Sequence, residues 1–126
     1  MSTKTEGRHT AEFLISEANG TRSRDQVTVT VPASTTLKPG LVLAKLSASG
    51  KYVPYDNDGS DGSEAAAGVL YHELVNAAGA PADAEATVIT ADAEVRSADL
   101  EWDSSVDDSE KAAGRADLLA LGIKSR

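Results

Sequence analysis

A chain of 126 residues with formal net charge −8, no cysteine and only 4% aromatic residues has room for one domain and one core. Without thiols it can form no disulfide, thiolate nucleophile or cysteine-based zinc site. Its 12 basic residues are outnumbered by 20 acidic ones, so it lacks the concentrated Lys and Arg that a nucleic-acid backbone or an anionic membrane would require, and neither is expected as a partner.

Hydrophobic residues reach 40%, but many are alanines. Large core side chains are therefore scarce, and subunit association is expected to add stability. No apolar run approaches the roughly 20 residues of a membrane span. The first ten residues, MSTKTEGRHT, carry no apolar stretch of the kind a secretory signal needs.

Residues 1–12 are polar, with Lys4, Arg8 and His9, and read as a mobile arm. EFLIS (12–16) interrupts that polarity with Phe13, Leu14 and Ile15. It is either a first strand pinned into the domain's own sheet or a strand that adds to the edge of another chain. Residues 17–25 carry turn chemistry. The expected division is an N-terminal arm over 1–25 and a core domain over 26–126.

Residues 26–31 alternate Val27, Val29 and Val31 with Thr28 and Thr30, the pattern of a half-buried strand, and Pro32 ends it. LKPG (37–40) predicts a turn, LVLAKL (41–46) a strand and SASG (47–50) another turn. KYVPYDNDGSDGSEAAAGVLYHEL (51–74) reads as a strand, a loop of Asp, Asn, Gly and Ser, and a second strand. The spacing predicts that these two strands form a hairpin. EATVIT (85–90) predicts a further strand. Between Asp92 and Glu110 stand eight acidic residues and one basic one, Arg96, which reads as a solvated face or as a patch that steers a basic partner.

The last element is a helix with Asp108 or Ser109 as N-cap. Its apolar stripe is expected from Ala112, Ala116, Leu119 and Ile123. Gly122 is expected to end it as a C′ glycine, and Gly114 weakens its middle by about 1 kcal/mol relative to Ala.

Catalytic and metal signatures are weak. The loop 56–62 has calcium-like oxygens, but Asp61 and Ala67 stand where an EF-hand needs Gly and Glu. The loop reads as an ordinary turn or as a weak, non-EF cation site; no metal-ligating residue is assigned and no cofactor is expected. His72 has no second His at ligand spacing. A hydrolase would have to use His72 as its base, and no nucleophile elbow accompanies it. No catalytic residue is assigned. Trp102 reads as a core or rim anchor, or as a subunit-interface residue.

EFLISEANGTRSRD, LKPGLVLAK, GKYVPYD, DGSEAAAGVL and LLALGI together, in this order over roughly residues 12–123, resemble the head decoration proteins of tailed bacteriophages, the lambda D-protein type. The resemblance implies a non-enzymatic capsid cement. Such a protein is a homotrimer on the outer surface of the expanded head, at three-fold positions, which holds the shell against the pressure of packaged DNA. It implies the major capsid protein and further copies of the chain as partners, location in the virion, and synthesis in the host cytoplasm.

The implied fold is a small, compact, β-rich mixed α/β domain with a C-terminal helix and a flexible N-terminal arm that adds a strand to the capsid. Phe13, Leu14 and Ile15 are the expected capsid-binding residues of that arm. Deleting residues 1–16 is then expected to leave the trimer folded and to abolish attachment. The rival readings are a tail or fibre module, a small ligand-binding β-barrel recognised by an internal cavity, and the His72 hydrolase.

Overall fold

The alternating valines and threonines build the longest strand pair. In the computed structural model, which describes residues 10–126, strand β2 (Arg24–Val31) runs antiparallel to β8 (Ala82–Ile89) from Arg24 opposite Ile89 to Val31 opposite Ala82. Val29 and Val31 turn inward and are buried. Thr28 and Thr30 turn outward, where their hydroxyls donate to Glu85 at 2.6 Å and Asp83 at 2.7 Å.

Strands β4 (Val42–Lys45), β5 (Tyr52–Pro54) and β6 (Ala66–Leu70) close this pair into a barrel of order β2-β5-β4-β6-β8. Val29, Leu43, Leu70 and Val88, all fully buried, pack together as its core. A barrel this small is filled by its own side chains, so the cavity that would mark a ligand-binding barrel is occupied by residues of the chain.

The expected hairpin across the acidic loop is not formed. β5 and β6 both pair antiparallel with β4, one on each side. The tight connection instead joins β4 to β5, where Leu46 N–H donates to Lys51 O at 2.8 Å and Gly50 takes φ +74°. The longer connection from β5 to β6 carries the chain past β4. Its turn chemistry is as expected: Asp58 N–H donates to Asp56 Oδ1 and Ser63 N–H to Asp61 Oδ1. Tyr55 explains the longer path. It is fully buried, and its hydroxyl donates to Glu110 O at 3.0 Å, which pulls the chain out of the sheet toward the helix.

A second layer covers one side. β1 (Leu14–Glu17) pairs antiparallel with β9 (Ala93–Val95), and β10 (Ile123–Ser125) pairs with β9 in parallel. Parallel neighbours need a long crossover. Helix α2 (Asp108–Ala120) supplies it, following a 3-10 turn at Ser97–Asp99. Phe13, Tyr55, Val95, Leu118 and Ile123 pack in the core shared by sheet, helix and barrel. A short ribbon, β3 (Thr35–Leu37) with β7 (Leu74–Asn76), and one helical turn, α1 (Gly20–Ser23), complete the domain. The fold is thus the expected strand-rich mixed domain with a C-terminal helix. No helix among the described residues is long and apolar enough to cross a membrane.

The helix differs in detail from its prediction. Asp107 is the N-cap, accepting from Glu110 N–H at 2.9 Å. The buried positions are Gly114 and Leu118, while Ala112, Ala116 and Leu119 are exposed and Ile123 belongs to β10. The rings of Trp102 and Tyr55 press on the helix at Gly114, and this contact rotates the inward face away from the alanines. Gly122 does follow the helix with φ +84°, as a C′ glycine should.

Candidate functional site

Residues 1–9 of the expected arm lie outside the described residues. From Ala11 onward the chain is fastened to the domain. Ala11 takes φ +58° in a turn, accepts from Leu14 N–H at 3.0 Å, and donates its own N–H to Tyr71 O at 2.9 Å. Phe13 is 1% exposed in the shared core, and its carbonyl accepts from Arg96 N–H at 2.8 Å. Leu14 stands opposite Val95 and packs partly buried against that core. Ile15 is 43% exposed. A register shift between Leu14 and Ser16 accommodates this reversal of faces. Among the described residues β1 pairs only with β9, which places it at the edge of its sheet.

Behind this strand lies an ion pair backed by an aromatic ring. Glu17 at the end of β1 and Arg24 at the start of β2 form a two-point pair: Arg24 Nε donates to Glu17 Oε2 at 3.0 Å, and the other arm of the fork meets Glu17 Oε1. The Ser23 hydroxyl adds a third bond to Glu17 Oε2 at 2.5 Å. The guanidinium also lies 4.3 Å from the centre of the Tyr71 ring. Arg24 holds the Glu17 carboxyl below the usual carboxylate range, and Glu17 in turn raises Arg24. Charge types alone could suggest a Glu17–Arg24 pair; the Tyr71 ring enters only through the fold.

Trp102 is half-buried. Its ring meets Tyr55 edge-on, with centroids 6.0 Å apart and planes at 66°. Its free edge lines a groove of about 200 Å³ with Leu37, Lys38, Pro54 and Glu101. Elsewhere, Val75 and Leu119 are the most exposed large apolar side chains.

His72 is not arranged as a catalytic base. Its Nε2 accepts from Thr87 N–H at 3.3 Å, and its Nδ1 lies 3.2 Å from Glu73 O. Both ring nitrogens thus face backbone groups. The carboxylates of Asp56, Asp58 and Glu110 come within 4.8 Å of one another. Glu110 Oε2 is buried without a hydrogen-bond partner. Desolvation, reinforced by Asp107 and Asp58, raises the Glu110 pKa.

The candidate site is therefore an edge strand with an exposed isoleucine, next to the first described residues. A family model for bacteriophage lambda head decoration protein D matches residues 3–123. The chain belongs to that family. No curated protein matches it in sequence. Membership makes it a capsid decoration protein of a bacteriophage virion, in a structural family and not a known enzyme family. The match begins ahead of β1 and ends at the first residue of β10, so it takes in the edge strand as well as barrel and helix.

Proposed function

We propose that the chain is a trimeric cement. It sits on the outer surface of the expanded phage head, binds the major capsid protein, and holds the shell against internal DNA pressure. The observation that carries this reading is the family match across residues 3–123. The open edge of β1 with exposed Ile15 fits an attachment made through backbone pairing.

In this reading the segment ahead of β1 engages the capsid. Ile15 contributes its exposed side chain, and Phe13 and Leu14 anchor the segment to the body. Three copies on one trimer make the second and third contacts intramolecular, so weak grips add to a strong one. A protein that binds only the expanded shell stabilises that shell by mass action. The exposed edge of Trp102 is assigned to the subunit contact, an environment in which Trp is enriched.

Three measurements test the proposal. Sedimentation of the full chain should give a trimer, and dissociation on dilution should shift the emission of Trp102, the one tryptophan of the chain. Removal of residues 1–9 should leave the trimer and its melting temperature unchanged while abolishing occupancy of expanded heads. Heads decorated with the full chain should survive heating that ruptures bare heads. Undiminished occupancy by the shortened chain would refute the N-terminal attachment, and a monomer at working concentration would refute the trimer.

A further inference from the structure

We propose that Arg24 is a positioning residue for the N-terminal attachment segment: by gripping Glu17 and the face of Tyr71 it fixes where the residues ahead of β1 leave the body. This rests on the proposed role of that segment in capsid attachment.

β1 cannot hold its place by backbone pairing alone. It has four residues, is an edge strand, and its register breaks between Leu14 and Ser16. Short strands of this kind are marginal without side-chain support. Phe13 pins the front of β1. The clamp pins the back, where Glu17 meets the Arg24 fork and the Ser23 hydroxyl. Ser23 is itself fully buried, so this end of the clamp is packed into the domain.

Tyr71 joins the two ends. Its ring receives the Arg24 guanidinium. Its carbonyl accepts from Ala11 N–H, and its own N–H donates to Thr87 O at 3.1 Å, which ties it to β8. One residue therefore links the last turn of the attachment segment, the clamp and the barrel. The pair is also well shielded, with Glu17 and Arg24 side chains 17% and 35% exposed, against 42% or more on both partners for Lys51–Asp83 and Arg22–Asp92. Two-point carboxylate–guanidinium pairs with such shielding hold geometry where freely solvated pairs do not.

The consequence for binding is a matter of geometry. With the clamp closed, β1 is held at both ends, by Phe13 in front and Glu17 behind, so Ile15 and the strand edge keep one orientation. With it open, only the front is held, and each grip must first order the strand. A loss of about twofold per grip becomes about eightfold when three grips of a trimer all carry it.

The test uses the full chain. Arg24→Gln should raise amide hydrogen exchange within residues 11–17 while leaving the β2–β8 amides protected. It should weaken binding to expanded, empty heads about eightfold at a temperature well below melting. Arg24→Lys, which keeps the cation for Glu17 and for the Tyr71 ring, should restore part of both readouts. Should Arg24→Gln fail to fold, Tyr71→Leu removes the ring face alone, and the same local deprotection is expected. Unchanged protection of residues 11–17, or binding as weak in Arg24→Lys as in Arg24→Gln, would overturn the proposal. Wild-type chain that ignores the heads, combined with deprotection in Arg24→Gln, would sink the attachment reading and leave the clamp itself standing.

Discussion

Gly114 stands in the middle of a helix, where glycine costs about 1 kcal/mol relative to alanine. The reason for it lies outside the helix. A Cβ there would come within 2.8 Å of Trp102 Cζ3 and 3.0 Å of Tyr55 Cε2. Gly114→Ala should therefore destabilise the fold by about 1–3 kcal/mol through overpacking, despite its better helix propensity. It should also push the indole outward, and a red shift of the Trp102 emission, with urea unfolding beside it, checks both effects.

Glu110 is the opposite kind of residue. Its buried Oε2 has no partner, and desolvation with the charges of Asp107 and Asp58 raises its pKa. A carboxyl raised in the folded state contributes stability that is complete below its unfolded pKa and is lost as pH rises through the folded one. Glu110→Gln should thus raise the urea midpoint at pH 7, and the gain should vanish below the ordinary glutamate range, near pH 4. A pH series of urea midpoints for both proteins reads the crossing.

At the scale of elements, pairing is uneven. β2 and β8 share an eight-residue register and an outward ladder of Thr–Glu and Thr–Asp bonds. Among the described residues β1 and β10 each pair only with β9. Opening free energies follow such differences in buried contact and paired backbone. Hydrogen exchange should therefore be slowest in the paired amides of β2 and β8 and fastest in β1. Equal protection of the two would show that the sheet and barrel open as one unit. The strands β2, β4 and β8 were readable because alternation and turn residues are local signals. β3, β7, β9 and β10 are three residues each, too short for any period to show. The hairpin failed for a related reason: Tyr52, Val53 and residues 66–70 have the right residues for strands, but their common partner, β4, was decided by where Tyr55 is buried.

For the whole molecule, the position of Phe13 governs how the N-terminus can be cut. Phe13 and Leu14 sit against the same core as Val95, Leu118 and Ile123. Deleting residues 1–16 would remove Phe13, whose loss alone is worth about 3–5 kcal/mol, together with most of β1. That truncation should lower the melting temperature sharply, whereas removal of residues 1–9 takes away none of the described core. The earlier expectation that 1–16 could be removed from a folded trimer treated EFLIS as free. Both roles of EFLIS were open in the residues because an apolar pentapeptide suits a domestic strand and a foreign one equally.

The amino-acid order settled the half-buried strands, the Asx turns, the Gly122 helix end, the exclusion of thiol chemistry and the family likeness, all of which depend on neighbouring residues or on strings read in order. Only the folded chain decided that β4 lies between β5 and β6, that Phe13 faces inward while Ile15 faces out, and that Tyr71 meets Arg24. Strand period and turn preference act across a few bonds, whereas these contacts join residues far apart along the chain, and burial of the few large side chains selects among them.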